Sequence, residues 1–313
     1  MSATREAAAR VDAASPRIAQ PGPARVRSVT WRRFLDRVVR AAAWLAAMFG
    51  VFIMGWIVLT VVVRGIGAIS WAFFTQATPQ DPMQSGGGLA NAIVGTIAIT
   101  VGAAIIGIPI GFLGAVYLAE YGRNGRVATV IRTITNVVLG VPSIIAGMFV
   151  YAILVKPLQH YSGFAGSVAL AFIMLPVMVR TAEDVLNLVP NELRESSLAM
   201  GAPRYKATMG VIVRAARPGL ITGTILAVVR VSGETAPLLF TALSSPYWLT
   251  GLTGPSGYFG GPTANLTKTI YDYATSPYKN WQELAWGGAL LIIVTVLVMN
   301  VLARLIFQRG KEW

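Results

Sequence analysis

A chain of 313 residues that is 55% hydrophobic and only 12% charged, with a mean hydropathy of +0.61, is composed for lipid, which excludes an ordinary soluble domain. Its net charge of +13 raises nucleic acid as a partner, but the basic residues gather at the edges of apolar runs, as at a membrane surface. With no cysteine, disulfides, thiol catalysis and cysteine-ligated clusters are excluded, and the redox compartment is left open.

Residues 1–40 are rich in Ala, Arg and Pro, with Arg5, Arg10, Arg17, Arg25 and Arg27 followed by Arg32, Arg33, Arg37 and Arg40, against Glu6, Asp12 and Asp36. This composition predicts a basic cytoplasmic tail, largely disordered as far as Trp31. Trp31-Arg32-Arg33 before an apolar run also fits an export signal with a cleavage site near Ala68–Ser70. The run from Ala41 to Val63 is long enough to cross a bilayer, however, whereas a signal's apolar region is about 7–15 residues. An uncleaved first transmembrane helix over 41–65 is therefore expected.

Further apolar spans follow at Asn91–Leu118, Ala128–Val155, Phe164–Val179, Pro218–Leu243 and Leu284–Phe307, giving six transmembrane helices, a core over 91–308 and a short tail at 309–313. A cytoplasmic N-terminus puts Arg123, Arg126 and Arg132, then Arg194, Arg204, Lys206, Arg214 and Arg217, then Arg304, Arg309 and Lys311 on the inner side with the tail. Only Arg64, Lys156, Lys268 and Lys279 fall outside. The bias predicts a multi-pass protein of the cell membrane with both termini cytoplasmic.

Pro109, Pro142, Pro176 and Pro237 lie within four of these spans, where each removes a backbone hydrogen bond that neighbours or water must replace. Such breaks suit a transport path, although proline is frequent in membrane helices generally. Ala103, Gly107 and Gly111 form a small-residue stripe for close helix approach. The outer loop 244–283 carries Trp248, Tyr258, Phe259, Tyr271, Tyr273, Tyr278 and Trp281, which fit a docking surface or an interfacial belt equally. His160, the single histidine, has no cysteine or acidic cluster beside it, so no metal site is expected.

Four charges lie within or at the ends of spans. Arg180 and Glu183 are spaced i,i+3 at the inner end of the fourth, and Arg230 and Glu234 are spaced i,i+4 within the fifth. A charge at mid-membrane costs about 2.5–3.5 kcal/mol on insertion scales, so Arg230 and Glu234 should face protein or water. Either the pairs neutralise each other and lock the two helices together, or they line an anion path. A guanidinium fork matches a tetrahedral oxyanion, and a carboxylate accepts a hydrogen bond only from an anion that still carries a proton, as phosphate does near neutral pH and sulfate does not.

From Pro190 to Phe240 a charged amphipathic stretch runs directly into membrane-grade sequence. Asn191 can cap a short helix with Glu192 in its first turn, Gly201 offers a left-handed stop and Pro203 follows. Leu193, Ser197 and Met200 fall on one stripe that should meet a partner, with Arg194 and Glu195 turned to water. A second, basic helix through Arg204, Lys206, Arg214 and Arg217 has the outline of a DNA-reading element, but a recognition helix cannot continue into a bilayer at Gly219.

The sequence Glu195-Ser196-Ser197, Gly201 and Val211-x-Val213 resembles the cytoplasmic EAA loop of binding-protein-dependent ABC importers. It departs from that pattern at Ser196 and Ser197, where the family has alanines, and at Arg214, where it has proline. ArgThrAlaGlu at 180–183 and the run from Arg230 to Ala242, ArgValSerGlyGluThrAlaProLeuLeuPheThrAla, are similar to the PstA-type permeases of phosphate importers, with patches of likeness from about Asn91 onward. The resemblance implies an all-α, MetI-like ABC importer permease with a coupling helix between helices 4 and 5, in segment 191–217. It implies that Glu195, Ser196, Ser197, Gly201, Ala202 and Pro203 dock on an ATPase dimer, and that Arg180, Glu183, Arg230 and Glu234 lie on the substrate path. The remaining implied partners are a second permease of PstC type and an extracytoplasmic phosphate-binding protein.

No G-x-x-x-x-G-K-[ST] loop is present, so ATP is expected on a separate subunit, with no cofactor or catalytic residue here. Permeases for phosphonate, sulfate or molybdate, a phosphate sensor that does not transport, and a membrane enzyme using the four charges as acid and base remain as alternatives. The last lacks any nucleophile paired with a base.

Overall fold

The computed structural model describes residues 29–83, 86–123, 125–254 and 257–309. Residues 1–28 of the expected tail and 310–313 at the other end lie outside this range; residues 29–40 are helical. The chain divides into two units, 1–58 and 59–313. Helix α1 (Val29–Gly65) runs through the first unit and ends in the second, and its part in the first carries Trp44, Leu45, Phe49, Phe52 and Trp56 exposed around its circumference. A helix that is apolar on all sides is solvated by lipid or by another apolar chain.

Within the second unit the elements are α2 (Trp71–Thr75), α3 (Ala90–Tyr121), α4 (Arg126–Leu139), α5 (Ser143–Leu158), α6 (Gly163–Asn187), α7 (Asn191–Ala199), α8 (Arg204–Ser232), α9 (Ala236–Thr241), α10 (Leu266–Ala274) and α11 (Lys279–Arg309). No strand occurs among the described residues. Helices α1, α3, α6, α8 and α11 are each long and apolar enough to cross a membrane, and α4 with α5, bent by 105° at the break between them, is long and apolar enough only as a pair. The bend falls where Pro142 withholds its N–H and the chain turns at Gly140-Val141.

The small-residue stripe sets the centre of the bundle. Ala103 is fully buried, Gly107 faces Met174, and a Cβ on Gly111 would fall 2.8 Å from Met178, so α3 and α6 lie parallel with their backbones close. Gly219 meets Val185 and Gly223 meets Thr181, which runs α8 antiparallel to α6. Thr222 then donates to the carbonyl of buried Ala303 at 3.3 Å and joins α8 to α11.

Of the four prolines, Pro109 and Pro176 sit inside continuous helices, while Pro142 and Pro237 mark real breaks. The helices that restart after these breaks touch: a Cβ on Gly147 would lie 2.5 Å from Pro237 Cα. The fifth span therefore differs from the single run expected over Pro218–Leu243. It begins at Arg204, passes a π-turn at Thr208–Ile212, ends at Ser232 and resumes as α9 after Gly233-Glu234-Thr235.

A cap of loops and short helices closes the end of the bundle opposite α7. Asn91, almost wholly buried, accepts from Thr78 N at 3.0 Å and donates to Thr78 Oγ1 and Ser245 O, while Asn265 caps α10 through Lys268 N. Tyr273 donates to Pro79 O and stacks on Trp281 at 4.7 Å, and burial pushes its phenol up to about 12. Part of the loop's aromatic content is thus consumed in packing the loop itself. Tyr247, Trp248, Phe259, Tyr271 and Tyr278 stay exposed.

Candidate functional site

Two groups of polar residues stand out, one around α7 and one where α8 ends. Around the first, α7 follows α6 after Pro190 and stops at Gly201, whose φ of +79° is the left-handed turn expected there. Asn191 is the first helical residue rather than the cap. Its Oδ1 accepts instead from Arg194 Nη1 at 3.2 Å and Arg123 Nη2 at 3.4 Å, guanidinium donors that outcompete a helix N–H.

Which side of α7 faces inward also differs from the amphipathic stripe. Arg194, expected in water, is buried. Its Nε and Nη2 reach Glu120 Oε1 at 3.0 and 2.9 Å, Nη1 donates to Val189 O at 2.5 Å, and Nη2 donates to Leu186 O at 2.7 Å. Leu193, Leu198 and the 87%-exposed Met200 point outward, with Glu195 and Ser196 also exposed. The fork of Arg194 supplies enough donors to satisfy the orphan carbonyls at the end of α6 and one carboxylate together, which no apolar residue could do. Arg204 adds a bond to Glu120 O at 2.6 Å and lies over the Tyr121 ring, so the start of α8 is fixed to the same π-turn, Tyr117–Tyr121.

A third arginine binds this turn from the other side. Arg132 on α4 donates to Glu183 at 2.7 Å, to Leu118 O at 3.1 Å and to Arg123 O at 3.2 Å. The structure thus gives Glu183, which is buried, a partner on α4 and not Arg180. Arg180 pairs with Asp184 at 3.2 Å across the exposed side of α6. The i,i+3 spacing is overridden because α6 turns Glu183 inward and Arg180 outward.

In the second group, Arg230 occupies the last turn of α8 and is exposed, and Glu234, half-buried, lies in the break that follows. Their i,i+4 spacing forms no pair: among the described residues no ion pair within 4.0 Å includes either. The helix has ended at Ser232, so Glu234 leaves the helical surface on which the spacing would have applied. Both residues line two cavities. One, of about 170 Å³, is walled by Val138, Leu139, Val141, Ser143, Phe172 and Pro176 among others, beside the α4–α5 bend. The other, of about 400 Å³, is walled by Leu226, Val229, Gly233, Val296 and Asn300 on the α11 side.

The packing of Gly223 on Thr181 fixes the relative heights of the charges. Arg230 lies opposite the level of Met174, with which Ala227 and Val231 share a core cluster. Arg180 is therefore about 9 Å nearer the α7 end of the bundle, taking 1.5 Å per residue. Ala202 is half-buried and Pro203 exposed beside Gly201, and Ser197 bonds back to Arg194 O at 2.9 Å. No three His, Cys, Asp or Glu side chains among the described residues are placed to hold a metal ion.

Sequence reasoning missed Glu120, Arg132 and Arg194 as a connected set. One signal was available: Glu120, an acid at the end of a span in a chain with only 13 Asp and Glu, sits where basic residues prevail.

Residues 107–311 match the family described as binding-protein-dependent transport system inner membrane component. The phosphate transport system permease protein PstA of Yersinia pestis is 44% identical over 282 residues, covering 90% of this chain and 93% of that one. The PstA protein of Pasteurella multocida is 45% identical over 282 residues, covering 90% and 97%. PstA 1 of Mycobacterium tuberculosis is 35% identical over 292 residues, covering 91% of each chain. Among solved structures, the inward-facing MetNI methionine ABC transporter aligns with a TM-score of 0.54 at 20% identity, over 70% of this chain and 93% of that one. A bacterial alginate ABC transporter in complex with an alginate pentasaccharide-bound periplasmic protein aligns with a TM-score of 0.58 at 14% identity, over 90% and 98%. At these identities the structural likeness is one of fold.

Proposed function

The chain belongs to the PstA group of binding-protein-dependent inner-membrane permeases, and from that premise we propose that it forms part of the translocation path of an ATP-driven inorganic phosphate importer. The observation that carries the proposal is the state of Arg230 and Glu234: an exposed arginine and a half-buried glutamate among apolar helices, without ion partners among the described residues, beside cavities large enough for a tetrahedral oxyanion and some of its water. Arg230 supplies the positive charge and planar donors. Glu234 accepts from the hydroxyl of a protonated phosphate and repels an oxyanion that carries no proton. Arg180, one step nearer the inner face on the exposed side of α6, receives the anion next. Glu183 acts at that level through Arg132, whose guanidinium it holds.

ATP turnover belongs to a separate ATPase dimer in this reading, and a second permease and an extracytoplasmic binding protein complete the assembly. The docking element is α7 with its following turn. Glu195, Ser196, Ser197, Gly201, Ala202 and Pro203 lie there, and exposed Leu193, Leu198 and Met200 supply apolar contact that a soluble surface would not leave in water. Both termini and residues 191–217 are cytoplasmic on this view. Ser196→Cys gives the chain its single thiol, and labelling of that thiol by an impermeant reagent added outside intact cells sinks the orientation.

Labelled phosphate uptake in cells lacking other phosphate importers, with the partner subunits co-expressed, tests the transport reading. ATP-dependent accumulation that unlabelled phosphate competes away and excess sulfate does not is the expected result. Accumulation of sulfate, molybdate or a phosphonate in preference to phosphate assigns a different oxyanion. Phosphate binding without accumulation assigns a sensor.

A further inference from the structure

The two cavities that share Arg230 and Glu234 are otherwise lined by apolar residues and glycine, with one exception in each. In the smaller the exception is Ser143, the first residue of α5 after the bend; in the larger it is Asn300 on α11. Both are half-buried. An amide at position 300 is out of keeping with its surroundings, since α11 is otherwise apolar from Leu290 to Val301 except for Thr295. An asparagine in a membrane helix persists where it meets a polar partner.

The hydrogen bonding of Asn300 leaves capacity unused. Its Nδ2 donates to Val296 O in its own helix at 2.8 Å, which engages one of two N–H donors and leaves the carbonyl oxygen open. Neighbouring Thr222, by contrast, bonds across from α8 to Ala303 O. The side chain therefore offers one donor and one acceptor to the cavity it shares with Arg230 and Glu234. A hydroxyl such as that of Ser143 offers the same combination from the other side.

We infer that Asn300 and Ser143 are specificity-determining residues that complete the Arg230–Glu234 site for a hydrogen-bearing tetrahedral oxyanion, one on each flank of the charged pair. The inference rests on the phosphate-path reading above and deepens it. Arg230 and Glu234 set the charge. The neutral pair, able to donate to a P–O oxygen and accept from a P–OH, holds the anion whichever oxygen carries the proton. A protonated oxyanion satisfies both functions at once, whereas a fully deprotonated one leaves each acceptor unmatched.

The test is phosphate uptake by the full importer carrying Asn300→Leu, Asn300→Gln, Ser143→Ala or Ser143→Thr, with membrane levels and ATP turnover measured for each. An extracytoplasmic protein captures the solute first, so half-saturation should stay at the wild-type value and the loss should appear in the maximal rate. Removing a hydrogen bond to a charged ligand predicts a fall of about tenfold for Asn300→Leu and several-fold for Ser143→Ala, with more ATP hydrolysed per phosphate carried. Asn300→Gln and Ser143→Thr, which keep the functional groups, should recover most of the rate. Wild-type rates in both Asn300→Leu and Ser143→Ala overturn the inference while leaving phosphate transport standing. Equal losses in Asn300→Gln and Asn300→Leu also overturn it, because shape and not the amide would then matter. Failure of the wild-type importer to carry phosphate removes the transport reading itself.

Discussion

The arginines of the α7 group and the arginine at the end of α8 contrast in one respect: how much of each guanidinium is used. Arg194 and Arg132 spend their donors on carboxylates and carbonyls of their own chain, and the acids they meet are less than a tenth exposed. Arg230 is exposed to its cavities and has no carboxylate within ion-pair distance among the described residues. The first arrangement is what a fold needs to hold a helix end in place. The second is what a site needs to receive an anion, since a guanidinium already saturated by its own protein has nothing to offer a ligand.

The contrast can be broken by measuring stability and uptake together. The largest loss of stability should follow Arg194→Ala, which strands buried Glu120 and the orphan carbonyls of α6; about 3–5 kcal/mol is expected, seen as loss of the purified protein's cooperative thermal transition or of its accumulation in membranes. A full complement of stable Arg194→Ala protein would show that the clamp is decorative. Arg132→Ala should cost less, about 2 kcal/mol, because its side chain is 30% exposed and water partly replaces it. A Tm no lower than wild type would contradict this ranking.

Gly201→Asp should cost only about 1 kcal/mol, since nothing lies within 4 Å of a Cβ there and only the positive φ is strained. Its effect should appear instead as reduced recovery of the ATPase subunit in pull-downs. Equal recovery would remove the docking role of this turn. Least of all, Arg230→Gln should leave stability unchanged and abolish uptake. Arg230→Gln/Glu234→Gln should stay inactive, because the two side chains do not neutralise each other and removing both restores nothing. Wild-type uptake by the well-expressed double variant would end the path assignment.

Features set by local chain chemistry were legible in the sequence. The glycine stripe on α3 foretold a close helix contact, and Gly201 foretold its left-handed turn, because each follows from the absence of a Cβ. The ion pairs were not legible, because spacing along a helix says nothing about which way the helix faces. Glu183 sits three residues from Arg180 and bonds to Arg132, and Arg194 reaches Glu120 across 74 positions. Likewise the sequence Arg230-Val-Ser-Gly-Glu234 reads as a continuous helix until Gly233 and Pro237 are seen to act together as stop and restart. The polar flanks at Ser143 and Asn300 emerge only when α5 and α11 are placed around them.

The end of α1 carries an implication for how the chain is made. A Cβ on Gly65 would fall 2.6 Å from Trp286 O and 2.8 Å from Leu290 Cβ, and Arg64 lies 5.1 Å over the Trp286 ring. The partners of this position belong to α11, most of the chain further on. The contact therefore cannot form until α11 has been made, and the groove around Gly65 stays open until then. Gly65 against Trp286 works as a latch between distant parts of the chain, which a variant lacking α11 has no means of closing.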